Sequence, residues 1–192
     1  KKYSNYFFPP DRIKKINFDY IFLSPGIDIN KCILSKFLKK NKIKIISELD
    51  IFYKTYPNLN KITITGTNGK STTSKLIYEV LKYHKKDVRL VGNIGKEILK
   101  EKNIKKNIIF VIEASSYQID YSKYFETSIA LILNIAPDHL ERHKTFQNYV
   151  NAKLKLIKKQ KKKSIALIEK NNGLIRDILK SQKVKSKIKS VD

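Results

Sequence analysis

Sulfur-containing residues are nearly missing from this chain of 192 residues, which has one cysteine and no methionine. A lone Cys32 excludes an internal disulfide, and it has no partner ligands at the spacing of a zinc site. This usage is typical of a reducing compartment, so we expect a cytoplasmic protein. Because no initiator methionine is present, we also expect that the natural start of the chain is missing.

Long apolar runs are missing as well. No uninterrupted apolar segment approaches the roughly 20 residues that a helix needs to cross a bilayer. The first residues carry neither the apolar run of a signal peptide nor a targeting pattern. We therefore expect no membrane insertion, and the 41% of hydrophobic residues is enough for one sizeable core or two small ones.

Acidic residues are few. The chain has 17 Asp and Glu residues and 41 Lys and Arg residues, which gives a formal net charge of +24. Clustered basic residues would indicate binding to nucleic acid or to an anionic membrane. The lysines are instead spread along the chain among Ile and Asn, with the densest run at 158–163, and this indicates solvated faces. We expect no nucleic-acid partner, whereas a positive field would steer a phosphorylated substrate.

Short apolar runs alternate with helical periods, which predicts an α/β fold with parallel sheets flanked by helices. A first block, 1–57, ends where Pro57 stops a helix, and a second block covers 58–192. The first block is predicted to contain strand 19–23, helix 31–40, strand 42–46 and helix 48–56. The second is predicted to contain strand 61–65, helix 70–84, strands 87–91, 107–112 and 128–135, helix 149–159, strand 164–169 and helix 172–181.

Candidate binding residues follow the predicted strands. In open parallel sheets, ligands bind beyond the carboxyl ends of the strands. Four polar or glycine-containing segments stand at such places: 66–71, 92–95, 113–118 and 134–139. The sequence therefore predicts a single site at this edge of the sheet.

The stretch GTNGKS, residues 66–71, is a candidate phosphate-binding loop. It is two residues shorter than the common G-x-x-x-x-G-K-[ST] pattern, but it keeps a strand, a glycine turn and a helix that begins at the lysine. Lys70 could reach the phosphates as a point charge, and Ser71 could offer its hydroxyl to Mg²⁺. The alternative is an ordinary glycine-rich turn between a strand and a helix.

Two polar residues at strand ends are candidate metal ligands. Glu113 ends an apolar strand, where a carboxylate could hold Mg²⁺ opposite a phosphate loop or could merely cap the strand. His139 follows another strand, next to Asp138, although a histidine alone is more often structural. His84 and His143 have no comparable context, and we interpret both as surface residues.

Four spaced motifs resemble the Mur ligase family, the ATP-dependent amide-forming enzymes that build the peptidoglycan stem peptide. They are GTNGKSTT (66–73), GNIG (92–95), EASSYQ (113–118) and NIAPDHLERH (134–143), followed by Ala152-Lys153. Ser71 and the 113–118 and 134–143 motifs are most similar to the branch of the family that adds D-glutamate. Ala114 stands where that branch more often has Leu or Val.

The resemblance implies two incomplete domains. Residues 1–57 would be the C-terminal part of a Rossmann-like domain that binds the UDP-linked substrate, since 23–27 and 47–50 resemble its end. Residues 58–192 would belong to a central, P-loop NTPase-like domain that binds ATP. The C-terminal domain that binds the amino acid is expected to be absent, so these 192 residues alone should bind nucleotide weakly without turnover.

The resemblance also implies the chemistry. The carboxylate of UDP-N-acetylmuramoyl-L-alanine would attack the γ-phosphate of ATP, and D-glutamate would capture the acyl phosphate, in a protein expected to be a monomer. The ATP loop would comprise Gly66, Thr67, Asn68, Gly69, Lys70, Ser71 and Thr72. Two Mg²⁺ ions would be held by Ser71 and Glu113 and by His139 and a carbamylated Lys153, with Lys70, His139 and Lys153 as catalytic residues. Substrate contacts would come from Ser24, Pro25, Gly26, Asn93, Ser115 and Gln118.

Three alternatives accompany these expectations. Another ligase of the superfamily, either a different stem-peptide ligase or a folylpolyglutamate synthase, would share the loop, but Ser71 and the 113–118 motif argue against it. A non-catalytic, basic nucleic-acid-binding protein would use the lysine-rich surface. On local sequence alone, Lys153 would be one more surface lysine in a lysine-rich helix.

Overall fold

The computed structural model describes residues 8–170, 173–180 and 184–191. The first part of the chain forms a small two-stranded parallel sheet and contains three helices. Its elements are α1 (Pro10–Ile13), β1 (Ile21–Phe22), α2 (Ser35–Lys40), β2 (Ile45–Ile46) and α3 (Glu48–Thr55).

The rest of the chain forms a six-stranded sheet in which every described pairing is parallel, in the order β4-β5-β3-β6-β7-β8. Its elements are β3 (Asn60–Thr65), α4 (Lys70–Tyr83), β4 (Val88–Gly92), β5 (Ile109–Glu113), α5 (Ser116–Tyr121), β6 (Ile129–Ile132), α6 (Leu140–His143), α7 (Phe146–Lys158), β7 (Ile165–Glu169), α8 (Gly173–Lys180) and β8 (Lys187–Val191). The predicted α/β class with parallel sheets is confirmed.

Strand β5 is apolar on both faces because it lies between two layers of helices. Phe110 and Ile112 belong to the large core that also contains the buried face of α7. Val111 points the other way, into a smaller core with Ile64 and Val88, against which α4 packs. Strand β3 lies between β5 and β6, so the loop that follows it emerges at the centre of the sheet edge.

Helix α3 follows the small sheet in sequence but packs into the core of the large one. Leu49, Phe52 and Tyr53 are buried there. Asp50 is also buried, and its carboxylate accepts hydrogen bonds from the backbone N–H groups of Ser47, Lys123 and Tyr124. The two parts of the chain are therefore joined by a packed and hydrogen-bonded interface, and the boundary after residue 57 stays a prediction.

Several predicted elements differ in length from those observed. The helix predicted at 31–40 begins only at Ser35. The residues before it form turns instead, in which the backbone N–H groups of Asn30, Lys31 and Cys32 donate hydrogen bonds to Asp28. Residues 42–44 of the predicted strand 42–46 form a 3₁₀ turn, and β6 ends at Ile132 rather than at residue 135. Of the predicted helix 172–181, residues 172 and 181 lie outside the described residues. Across the described ranges, no helix has both the length and the apolar character needed to span a bilayer.

Candidate active site

A cavity of about 570 Å³ lies beyond the carboxyl ends of the strands of both sheets. Its walls come from segments that follow β1, β2, β3, β4, β5 and β6, as expected for a ligand site in a parallel α/β protein. Eight of the predicted site residues line it: Pro25, Gly26, Lys70, Asn93, Ser115, Gln118, His139 and Lys153. The three predicted catalytic residues thus share one cavity.

The candidate phosphate loop joins β3 to α4. Glycine suits two positions of this loop, for a different reason at each. Gly69 precedes the first helical residue with φ of 78°, a left-handed conformation that glycine adopts without strain. At Gly66, an added Cβ would lie 3.1 Å from the Cβ of Leu133, so the loop passes close to the segment after β6. The first N–H groups of α4 have no intrahelical acceptor, which makes this helix end suited to an anion.

Asn134 braces the phosphate loop. Its Oδ1 accepts hydrogen bonds from the N–H groups of Thr67 at 3.1 Å and Asn68 at 2.8 Å, and its Nδ2 donates to the carbonyl of Asn68 at 3.1 Å. The hydroxyl of Thr67 contacts the backbone of Ala136 and lies 3.0 Å from the hydroxyl of Tyr149. Two of the predicted nucleotide contacts, at Thr67 and Asn68, therefore already have acceptors for their N–H groups, and the first turn of α4 is the better cradle.

Two lysines converge on the carbonyl of Gly66. Lys70 Nζ donates to it at 3.0 Å and to the carbonyl of Thr67 at 2.7 Å. Lys153 Nζ donates to the same oxygen of Gly66 at 2.7 Å and lies 4.6 Å from the centre of the Tyr149 ring. Lys153 is 1% exposed, so the interpretation as a surface lysine is wrong. Burial, and next the charge of Lys70, lower the pKa of Lys153 to about 7.

Glu113 carries a carboxylate oxygen that lacks a partner. The side chain is 1% exposed, and Oε1 accepts a hydrogen bond from Asn93 Nδ2 at 3.0 Å. Oε2 is buried without a hydrogen-bond partner among the described residues. A buried carboxyl oxygen without a hydrogen-bond partner is costly, and its chemistry fits a bound cation.

The other predicted metal ligands do not form a closed cluster with Glu113. Ser71 is exposed on the first turn of α4 and is not among the residues that line the cavity. His139 has a left-handed φ of 53° just before α6, and its ring lies 3.4 Å from a carboxylate oxygen of Asp138. Within the described ranges, no three His, Cys, Asp or Glu residues are grouped as metal ligands. Mg²⁺ commonly takes only one or two protein carboxylates and completes its shell with phosphates and water.

The predicted substrate contacts also have structural roles. Ser115 and Gln118 form the capping box at the start of α5, and Gln118 Nε2 donates to Glu48 Oε1 at 2.7 Å. The carbonyl of Ser24 accepts from the N–H of Ile27 in a turn, and Ser24 does not line the cavity. Thr72 is exposed on α4, also away from the cavity lining.

Sequence reasoning missed an aromatic cluster beside the cavity. His143 is buried, so its interpretation as a surface residue is wrong, whereas His84 is exposed as predicted. The His143 ring stacks on Tyr117, packs edge-on against Tyr149, and its Nε2 lies 3.0 Å from the hydroxyl of Ser116. Burial lowers its pKa. Tyr149 stands one helical turn before Lys153. This i, i+4 spacing was the signal in the sequence from which its position beside the site could have been predicted.

Residues 64–191 match the family described as the Mur ligase middle domain. The chain belongs to the Mur ligase family. Among curated Mur ligases, the UDP-N-acetylmuramoylalanine–D-glutamate ligase of Rickettsia bellii is 40% identical over 187 residues, which is 97% of this chain and 41% of that protein. The ligase of the same name from Elusimicrobium minutum is 41% identical over 186 residues, with 91% and 40% coverage. The chain thus spans about two fifths of the length of these relatives.

Solved Mur ligases share the fold at lower identity. The UDP-N-acetylmuramate:L-alanyl-γ-D-glutamyl-meso-diaminopimelate ligase of Neisseria meningitides superposes with a TM-score of 0.64 at 14% identity, over 95% of this chain and 61% of that one. The MurF ligase of Thermotoga maritima, solved in complex with ADP, gives a TM-score of 0.56 at 21% identity, over 81% and 43%. At these identities the likeness shows the fold alone.

Proposed function

We propose that this chain is the ATP-binding part of a Mur ligase that joins D-glutamate to UDP-N-acetylmuramoyl-L-alanine. The observation that carries the proposal is the single cavity lined by Lys70, His139 and Lys153 beside a phosphate loop. The 40% identity to ligases of that name supports the choice of substrates. The cytoplasmic location, the monomeric state and the absence of a nucleic-acid partner stay predictions.

The phosphates of ATP would bind at the first turn of α4. Lys70 would leave the carbonyls of Gly66 and Thr67, which it now contacts, and turn toward the β- and γ-phosphates. The substrate carboxylate would then attack the γ-phosphate and displace ADP, which gives the acyl phosphate. The amine of D-glutamate would displace inorganic phosphate from it and lose a proton as the amide forms. Both reactants are anionic, so positive charge held in a shielded cavity stabilises the transition state.

Two Mg²⁺ ions would be held by residues of this chain. Glu113, with its unpaired Oε2, and Ser71 would hold the first ion. His139 and Lys153 would support the second, once the amine of Lys153 has reacted with CO₂ to give a carbamate. The lowered pKa of Lys153, about 7, leaves a large share of the amine neutral and nucleophilic near neutral pH. When bound, Mg²⁺ would neutralise negative charge on the reacting phosphate.

The proposal is tested by turnover in the full-length protein with one amino acid at a time. We expect phosphate release with D-glutamate to exceed that with L-lysine, diaminopimelate or L-alanine, and preference for any of these three would refute the assignment. Lys70→Ala should lose ATP binding. Nucleic-acid binding that persists at physiological salt in this variant, in a parent that does not bind ATP, would instead support the basic binding protein. The 192 residues alone are predicted to bind nucleotide without forming an amide.

A further inference from the structure

Arg142 holds a turn of the small sheet by its backbone carbonyls. Its Nη2 donates to the carbonyls of Pro25 at 3.2 Å and Ile27 at 2.6 Å, and its Nη1 lies 3.5 Å from the carbonyl of Gly26. The turn follows β1, whereas Arg142 lies in α6, in the part of the chain that forms the six-stranded sheet. A single side chain can contact three successive carbonyl oxygens only if it has several N–H donors. The planar guanidinium of arginine has five such donors in a fixed arrangement.

The guanidinium also contacts two tyrosines of α5. Its Cζ lies 5.0 Å from the ring centre of Tyr117 and 5.3 Å from that of Tyr121. The hydroxyl of Tyr121 also donates to the carbonyl of Ile27 at 2.7 Å. Arg142 is half-buried in this setting, where stacking and hydrogen bonds are less weakened by water than at an exposed site.

The residue just before the short helix α6, His139, lines the cavity. The N–H groups of Arg142 and His143 both bond to the carbonyl of His139, so Arg142 and His139 are held in one helical turn. His139, Tyr117, Pro25 and Gly26 all line the cavity. The hydrogen bonds of Arg142 therefore connect the cavity wall at residues 25–26 to the turn that contains His139.

We propose that Arg142 is a positioning residue that fixes the 24–27 turn in the wall of the cavity that Lys70 also lines. The inference rests on the proposed function, in which the UDP-linked substrate must reach from the small sheet to the phosphate loop. With the turn held, the muramoyl-alanine arm is directed so that its carboxylate lies beside Lys70 and His139. Arg142 acts through the turn and touches no reacting atom.

Lys123 provides a matched control. Its Nζ also donates to two backbone carbonyls of the first part of the chain, at 2.9 Å from Lys42 and at Ile43. It thus joins the same two parts of the molecule, but it does not line the cavity and does not contact the 24–27 turn. Lys123→Ala removes a comparable tie without loosening the wall.

Calorimetric titration of the full-length protein separates positioning from general stability. We expect Arg142→Ala to weaken binding of UDP-N-acetylmuramoyl-L-alanine about tenfold while the Kd for ATP changes less than twofold. Arg142→Lys, which keeps the charge but loses the fork, should retain most of that loss, and Lys123→Ala should leave both constants near the parent values. Equal effects of Arg142→Ala and Lys123→Ala, or full recovery in Arg142→Lys, would overturn the inference.

Amide hydrogen exchange tests the same grip without any ligand. The N–H of Ile27 bonds to Ser24, and that of Lys44 bonds to Asn41. Arg142→Ala should speed exchange at Ile27 and not at Lys44, and Lys123→Ala should do the reverse. Unchanged exchange at Ile27 in Arg142→Ala refutes the positioning role even if the substrate binds. If the parent fails to bind the UDP-linked substrate, the proposed function fails, and the exchange result still decides for or against the grip.

Discussion

The buried ammonium of Lys153 should make the stability of the protein depend on pH. In the folded protein the pKa of Lys153 is lowered to about 7, against 10.5 for an unperturbed lysine. Between these values the unfolded chain binds a proton that the folded protein has released. The free energy of unfolding therefore rises as the pH increases from about 7, with a limiting slope of about 1.4 kcal/mol per pH unit.

Lys153→Met removes the titrating group at similar volume. From pH 7 to pH 9 the parent should gain about 2 to 3 kcal/mol from Lys153 alone, and the variant should lack this gain. The assay is urea unfolding at half-unit pH steps in buffers free of CO₂, nucleotide and Mg²⁺, so that neither carbamylation nor ligand binding contributes. The quantity of interest is the difference between the two stability curves, because other groups titrate equally in both.

Lys61 is the control for this experiment. It is also buried, donates to the carbonyls of Pro57 and Leu59, and has its pKa lowered to about 8, first of all by burial. Lys61→Met should leave the rise between pH 7 and 8 largely intact and reduce the rise above pH 8. Parallel curves for the parent and Lys153→Met between pH 7 and 9 would refute the burial of a charged Lys153.

Three other substitutions have defined outcomes. Gly92→Ala should destabilise the fold by about 3 kcal/mol or more in thermal unfolding, because φ is 107° and the added Cβ would meet the carbonyl oxygen of Glu113 at 2.2 Å; wild-type stability would contradict this close approach. Asn134→Ala should weaken ATP binding about tenfold in a titration, since the N–H groups of Thr67 and Asn68 lose the side-chain oxygen that accepts their hydrogen bonds. Unchanged affinity would show that the loop keeps its conformation without Asn134. Asp50→Ala should lower the free energy of unfolding by about 3 kcal/mol, since three backbone N–H groups lose their acceptor, and a loss under 1 kcal/mol would contradict the burial of that network.

The sequence was most informative where short-range patterns decide the structure. The apolar run before Glu113 predicted a strand buried on both faces, and the two glycines around residues 66–69 predicted a turn into a helix; both are present. Strand β8 was not predicted, because its lysine-rich sequence becomes a strand only through pairing with β7. Helix α5 was missed although Ser115 and Gln118 have capping-box spacing, since their polar groups were interpreted only as substrate contacts.

Features of the site that depend on tertiary contacts were beyond the sequence. The burial of His143 results from packing against Tyr117 and Tyr149, which both lie outside the motif 134–143, so nothing within that motif distinguished it from His84. The grip of Arg142 on a turn more than a hundred residues earlier is equally non-local. Lys153 was singled out by its resemblance to a family motif, but its low pKa follows from burial and from Lys70, which only the fold brings together.

The carbonyl of Gly66, shared by two ammonium groups, makes the two lysines partners in one equilibrium. Any anion that draws Lys70 away from this oxygen weakens the repulsion that favours the neutral form of Lys153. By reciprocity, the protonation state of Lys153 changes the affinity of the loop for that anion by the same factor. In the proposed function, nucleotide affinity and the readiness of Lys153 to react with CO₂ are therefore coupled quantities, and each event changes the free energy of the other by the same amount.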